Sequence, residues 1–314
     1  MSNRALFLSF LLAALIAAPL TASAQEATPE AVEDVVVVAR RIEGPMWEVR
    51  RGDAVLILVG ASDGLPRDMG WRTDALEAAV ARADHVLFPV EGRASLADVG
   101  RLLWRVRTLT RLPDGQSSAD YLSPEVEARV EAALGQGPSR NSMLMLSAEL
   151  MEKGGYVRGG RLVSDVVKRA ARAHKTPAAP VGLLRGDEIV DRLIATPAED
   201  YLPCIEAAVT AAEAGPEEGL RRGENWRRRR VQAVLASPLD MAEARCGLWA
   251  VMGGDARLRQ MWSQAVAEAL EDPGVTLAIA PLRLLAERDG VLDQLDAQGL
   301  EPQGPEWRAD AAVD

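Results

Sequence analysis

Two short segments carry side chains whose types and spacing could do chemistry. One closes an apolar run on Gly60-Ala61-Ser62-Asp63-Gly64, and the other closes His85-Val86-Leu87-Phe88-Pro89-Val90 on Glu91. Aspartate and glutamate are hard oxygen ligands, so Asp63 and Glu91 could hold Mn²⁺, Mg²⁺ or Ca²⁺, with Asp187 or Asp289 adding a further oxygen. The first segment also matches the Gly-x-Ser-x-Gly string of nucleophile elbows, which makes Ser62 an alternative nucleophile. A serine nucleophile needs a base, and the chain has only 2 histidines. His85 shares a strand face with Glu91 but lies about 20 Å away along it. His174 ends the helical stripe Val163, Val166, Val167 and Ala170, where a partly buried imidazole would answer the helix dipole.

The elements that must position these groups follow from periodicity. Trp47 to Arg51 and Ala54 to Val59 are β-rich and separated by Gly52-Asp53, a strong hairpin signal. Asp74 and Glu77 open a helix whose apolar positions are Leu76, Ala79, Val80 and Ala83, and a strand from His85 to Val90 follows. Strand, helix and strand in that order predict a right-handed crossover with parallel strands. Gly60 and Glu91 then share the sheet edge at which open α/β sheets place their sites. From Ser95 to Ala214 the pattern is helical, with stripes at Leu96, Val99 and Leu103 and at Cys204, Ile205, Ala208, Val209 and Ala212. Pro180 to Leu184 is expected to be a strand, and Leu258 to Leu270 a helix whose Met261 and Trp262 pack into the core.

Taken together, Gly44 to Val49, Ala54 to Gly60 and Ala83 to Glu91 resemble the opening of the TraB/GumN family, which is related to the Tiki proteases. The end of the chain carries the same resemblance in Val275 to Ala280, Pro281-Leu282-Arg283-Leu284, Asp289-Gly290-Val291-Leu292 and Gln298 to Pro302. The resemblance implies a metal-dependent hydrolase, in whose family the C-terminal region reads as a strand, a Gly-x-x-His, a helix and a last strand. Mapped onto it, Asp63 stands at the first histidine position, Arg283 at the second, Ala280 at the glycine and Leu184 at one of two glutamates, while Glu91 is kept. A guanidinium cannot ligate a metal. It can form two charge-assisted hydrogen bonds with a carboxylate, so Arg283 is expected to pair with Asp63 or Glu91 and to replace the ion.

The resemblance therefore points to an α/β fold with a mixed β-sheet formed from two similar halves, surrounded by helices, and a helical insertion between the halves. Residues 44–305 form the domain and 306–314 a tail. The site residues are Glu91, Asp63 and Arg283, in a degenerate hydrolase site without a cofactor, serving as a pseudo-enzyme or binding protein. The rival is a carboxylate-based, peptidase-like hydrolase using Mn²⁺ or Mg²⁺ on Asp63 and Glu91.

Composition bounds the partners. Residues 1–24 read as a signal peptide, with Arg4, an apolar run and Ala22-Ser23-Ala24, and residues 25–43 as a flexible leader with a Val35 to Val38 run. The mature protein is then periplasmic or secreted, with membrane contact only through the signal segment. With 36 Lys+Arg against 46 Asp+Glu the net charge is −10, which disfavours nucleic acid. Arg221-Arg222 and Arg227 to Arg230 around Trp226 read as a solvated helix face, and Arg185-Gly186-Asp187 as a chance tripeptide. The only 2 cysteines, Cys204 and Cys246, are expected to form a disulfide in an exported protein. The expected ligand is a peptide or small molecule.

Overall fold

Gly52 supplies the left-handed backbone (φ 57°) that a tight turn requires, and the hairpin forms around it. Strands β1 (Met46–Arg51) and β2 (Ala54–Ala61) pair antiparallel, with Arg51 opposite Ala54. The computed structural model describes residues 43–160, 162–247, 250 and 255–309. The expected signal segment, the leader with its Val35 to Val38 run and the end of the tail lie outside them.

After β2 come α1 (Asp74–Arg82), β3 (His85–Phe88), β4 (Glu91–Arg93) and α2 (Leu96–Thr110). The helical stretch continues with α3 (Pro124–Leu134), α4 (Met143–Lys153) and α5 (Leu162–His174), then β5 (Ala178–Pro180), β6 (Leu183–Arg185) and α6 (Gly186–Ala195). Next are α7 (Leu202–Glu213), α8 (Glu217–Arg227), α9 (Val231–Leu235) and α10 (Pro238–Cys246). The chain returns through α11 (Asp255–Glu271) to β7 (Gly274–Pro281), α12 (Leu282–Ala286) and α13 (Val291–Ala297).

The main sheet is mixed, in the order β1-β2-β7-β3-β5. The expected crossover from β2 through α1 to β3 leaves room for one strand, which β7 fills, parallel to both neighbours. Its Leu277, Ala278, Ile279 and Ala280 are fully buried, as a central strand covered on both faces must be. The register sets Gly60 beside Ala280 and Ala61 beside Pro281, so Ser62-Asp63 and Leu282-Arg283 leave the sheet side by side.

The strands expected at 85–90 and 180–184 each break once, at the same level. Pro89 has no amide to donate, and Gly182 lies where any side chain would meet Met261. The pairing resumes as a small parallel sheet of β4 and β6, with Glu91 beside Leu183, held through the bend by Val181 N–H to Phe88 C=O (2.9 Å) and Glu91 N–H to Gly182 C=O (3.0 Å). His85 and Glu91 are thus on different strands, which removes the common face expected of them.

One core fills the sheet faces, with Trp262 of α11 and Val167 of α5 fully buried. A second core joins α3, α4, α7 and α10 around Leu146, Ile205 and Leu239. Cys204 of α7 and Cys246 of α10 form the expected disulfide, with Cα atoms 4.8 Å apart. Three local expectations are corrected. His174 is exposed at the end of α5 rather than partly buried. The expected last strand is a single bridge between Glu48 and Gln303. The packed chain also runs past 305, since Trp307 is buried and donates from Nε1 to Asp293 at 2.9 Å. Among the described residues, no helix is long and apolar enough to cross a membrane.

Candidate functional site

A cleft of about 840 Å³ opens at the carboxyl ends of β2, β3 and β7, and Asp63, Glu91 and Arg283 all line it. The sheet register brings them there. Asp63 follows β2 by two residues, Arg283 follows β7 by two, and Glu91 begins β4 after the bend.

Their partners differ from those expected. Arg283 turns its guanidinium to Asp240 on the first turn of α10, with Nε donating to Oδ2 at 2.9 Å and Nη2 donating to the same oxygen and to the Leu235 carbonyl (2.6 Å). Glu91 instead accepts from Lys168 Nζ at 3.0 Å, and that ammonium also lies 5.2 Å from the centre of the Phe88 ring. The predicted pairing of Arg283 with Asp63 or Glu91 is therefore replaced by two separate pairs. The physical reason is burial: Asp240 is only 8% exposed and must have a cation, whereas Glu91 is 41% exposed and half-solvated.

Beneath them lies the residue that sequence reasoning misplaced. Arg222 of α8, expected on a solvated face, is 0% exposed. Its Nη1 donates to Glu243 Oε2 at 2.7 Å and lies 4.0 Å from Asp240, and its Nη2 donates to the Asp63 carbonyl. The guanidinium carbon stands 5.9 Å from the centre of the Tyr156 ring. Trp226, one turn on, is also buried, and its Nε1 donates to the Gly60 carbonyl at 2.9 Å. One helix therefore fixes the backbone at both ends of the Gly60 to Asp63 segment. Spacing could have hinted at this, because Arg222 and Trp226 are four residues apart on one helix face.

Two acids of the cleft floor are electrostatically unusual. Burial raises the Asp240 carboxyl above its ordinary value against the pull of Arg283 and Arg222. Burial pushes Glu243 up to about 7, with Arg222 opposing and Asp63 and Asp240 adding to the rise. The packed floor dominates for Glu243, although 27% of its side chain still opens to the cleft. Ser62 lines the same cleft with a buried hydroxyl that has no hydrogen-bond partner among the described residues. His85 and His174 lie away from it, so neither can serve Ser62 as a base.

Among the described residues, the carboxylates expected as ligands are engaged or dispersed rather than gathered around one point. Glu91 is held by an ammonium, Arg283 and Arg222 bring guanidinium groups to the floor, and Asp187 and Asp289 are not in the cleft wall. Asp187 is bound by Arg185, and Asp289 lies in a turn with φ 61°. Among the described residues, no three His, Cys, Asp or Glu side chains form a group that could hold a metal ion.

A mixed α/β sheet with a cleft at the carboxyl ends of its parallel strands places this chain in the class of open-sheet α/β proteins. Within that class the chain belongs to the TraB/PrgY/gumN family, whose model matches residues 45–303, most of its length. No curated protein and no solved structure matches it.

Proposed function

We propose that this is an exported member of the family, acting in the cell envelope or outside it, that uses the cleft to bind a peptide or small molecule rather than to hydrolyse one with a metal. The observation that carries the reading is Arg283. Where the family pattern expects an imidazole ligand, a cation stands, and it is held in place by a buried carboxylate. Arg245 supports a ligand that bears a carboxylate. It is exposed on the cleft wall and has no ion-pair partner among the described residues, so it is available for a charge-assisted contact.

The test pairs metal analysis of the purified protein with calorimetry and turnover assays on a peptide library, with and without added Mn²⁺ and Mg²⁺. The expected result is no stoichiometric metal, no turnover, and peptide binding that Arg245→Glu weakens about tenfold, the range of one charge-assisted contact. Stoichiometric metal with turnover abolished by Asp63→Asn or Glu91→Gln would instead establish the carboxylate-based hydrolase. Export is read separately, by cell fractionation.

A further inference from the structure

Helix α2 breaks the usual partition of apolar side chains. It begins well, with Ser95 and Asp98 forming a reciprocal cap (Asp98 N–H to Ser95 Oγ 3.2 Å, Ser95 N–H to Asp98 Oδ2 2.7 Å). Its apolar stripe then runs Leu96, Val99, Leu103, Val106 at helical spacing. Only Leu109 is buried; Leu96 is 92% exposed, Leu103 67% and Trp104 86%. The helix rests on α6 and α4, and none of its residues belongs to either core.

The charge beside this stripe has the opposite sign to the rest of the protein. Arg93, Arg101, Arg105, Arg107 and Arg111 lie between positions 93 and 111 with a single acid, Asp98, in a chain of net charge −10. Two of the five are lightly engaged, Arg101 with Asp191 of α6 at 3.1 Å and Arg107 with Asp114 at 2.8 Å, both through exposed pairs. Such pairs contribute little and exchange readily for another anion. Arg105 has no ion-pair partner among the described residues.

An exposed Trp and Leu stripe flanked by arginines is the composition of a helix that lies in a membrane interface, with the apolar face at the acyl boundary and guanidinium groups reaching headgroup phosphates. A second copy of α2 would fit the apolar stripe, but it would bring three arginines and one aspartate against the same set. We propose that α2 docks this protein onto an anionic lipid surface. This contact is independent of the expected signal segment and of the reading of the cleft.

The test is hydrogen–deuterium exchange of the full chain with vesicles of phosphatidylcholine and phosphatidylglycerol (7:3), against vesicles of phosphatidylcholine alone. The expected result is slowed exchange of the amides over 96–110 with the anionic vesicles only, weakened by salt. In a vesicle-binding titration, the triple variant L96S/L103S/W104S should bind about tenfold or more weakly, in line with the loss of buried apolar area. R101Q/R105Q should reduce the preference for the anionic lipid. All of these side chains are exposed, so near-UV circular dichroism should show each variant folded. Unchanged exchange over 96–110 would overturn the proposal. So would slowing that rises with protein concentration in the absence of vesicles, which would assign the face to a second copy.

Discussion

The floor of the cleft and the outer face of α2 are inversions of one another. In the floor, Arg222 and Asp240 are charged groups packed inside the protein; on α2, Leu96, Leu103 and Trp104 are hydrocarbons left in solvent. Ordinary packing favours neither, since burial of a charge costs free energy and exposure of a large apolar group forgoes it. Both lie outside what folding alone requires, and each is continuous with a surface that can meet another molecule. The comparison makes opposite demands on mutation: changes that leave a floor charge without its partner should damage the fold, and changes on the bare face of α2 should not.

The largest effect is expected at Arg222. Replacement by Met keeps much of the stem but leaves Glu243 and the Asp63 carbonyl without their donor. Loss of one partner from a buried pair costs about 3–5 kcal/mol. Urea unfolding at pH 8 should show a loss of that order, and at pH 6 a smaller one, because Glu243 can then take up a proton. Equal, small losses at both pH values would mean that the floor is far wetter than its burial implies.

A medium effect belongs to Glu243. Its folded-state pKa of about 7 lies above the ordinary 4.5, so the folded protein binds this proton more tightly than the unfolded chain does. Its contribution to stability is therefore fully present below about 4.5 and is lost as pH rises through about 7. The interval corresponds to on the order of 3 kcal/mol at most, and the side chain's partial opening to the cleft reduces it to about 2. Glu243→Gln should flatten the stability profile between pH 5 and 8 without lowering the plateau at acid pH. A variant whose profile still falls across that interval would place the titration on another group.

How much of this was legible in the sequence differs between the two regions. The hairpin at Gly52-Asp53 and the convergence of Asp63, Glu91 and Arg283 on one cleft could be read, because turn chemistry and strand order are local properties that the register then carries to one edge. The partners could not be read. Asp240 is 43 residues from Arg283 and Glu243 is 21 from Arg222, and neither separation has a periodicity that marks a contact. Arg222 was hidden by its neighbours, since a cluster of arginines has the same composition whether its face is solvated or covered. On α2 the stripe at Leu96, Val99 and Leu103 was visible, but the pattern reports a helix face and not what covers it. That an apolar stripe remains bare is a fact of tertiary packing alone.

The smallest effect sharpens the contrast most directly. If α2 presents its apolar face for something other than the fold, then Leu96→Ser, Leu103→Ser and Trp104→Ser should each change unfolding free energy by no more than about 0.5 kcal/mol, the range of ordinary surface substitutions. Leu109, on the same helix but buried, supplies the internal control: Leu109→Ala should cost about 2 kcal/mol or more. The two measurements share a helix and a denaturant titration, so helix propensity alone cannot separate them. A loss at Leu103 or Trp104 as large as that at Leu109 would mean that these side chains pack against the protein in solution, and α2 would cease to be the counterpart of the charged floor.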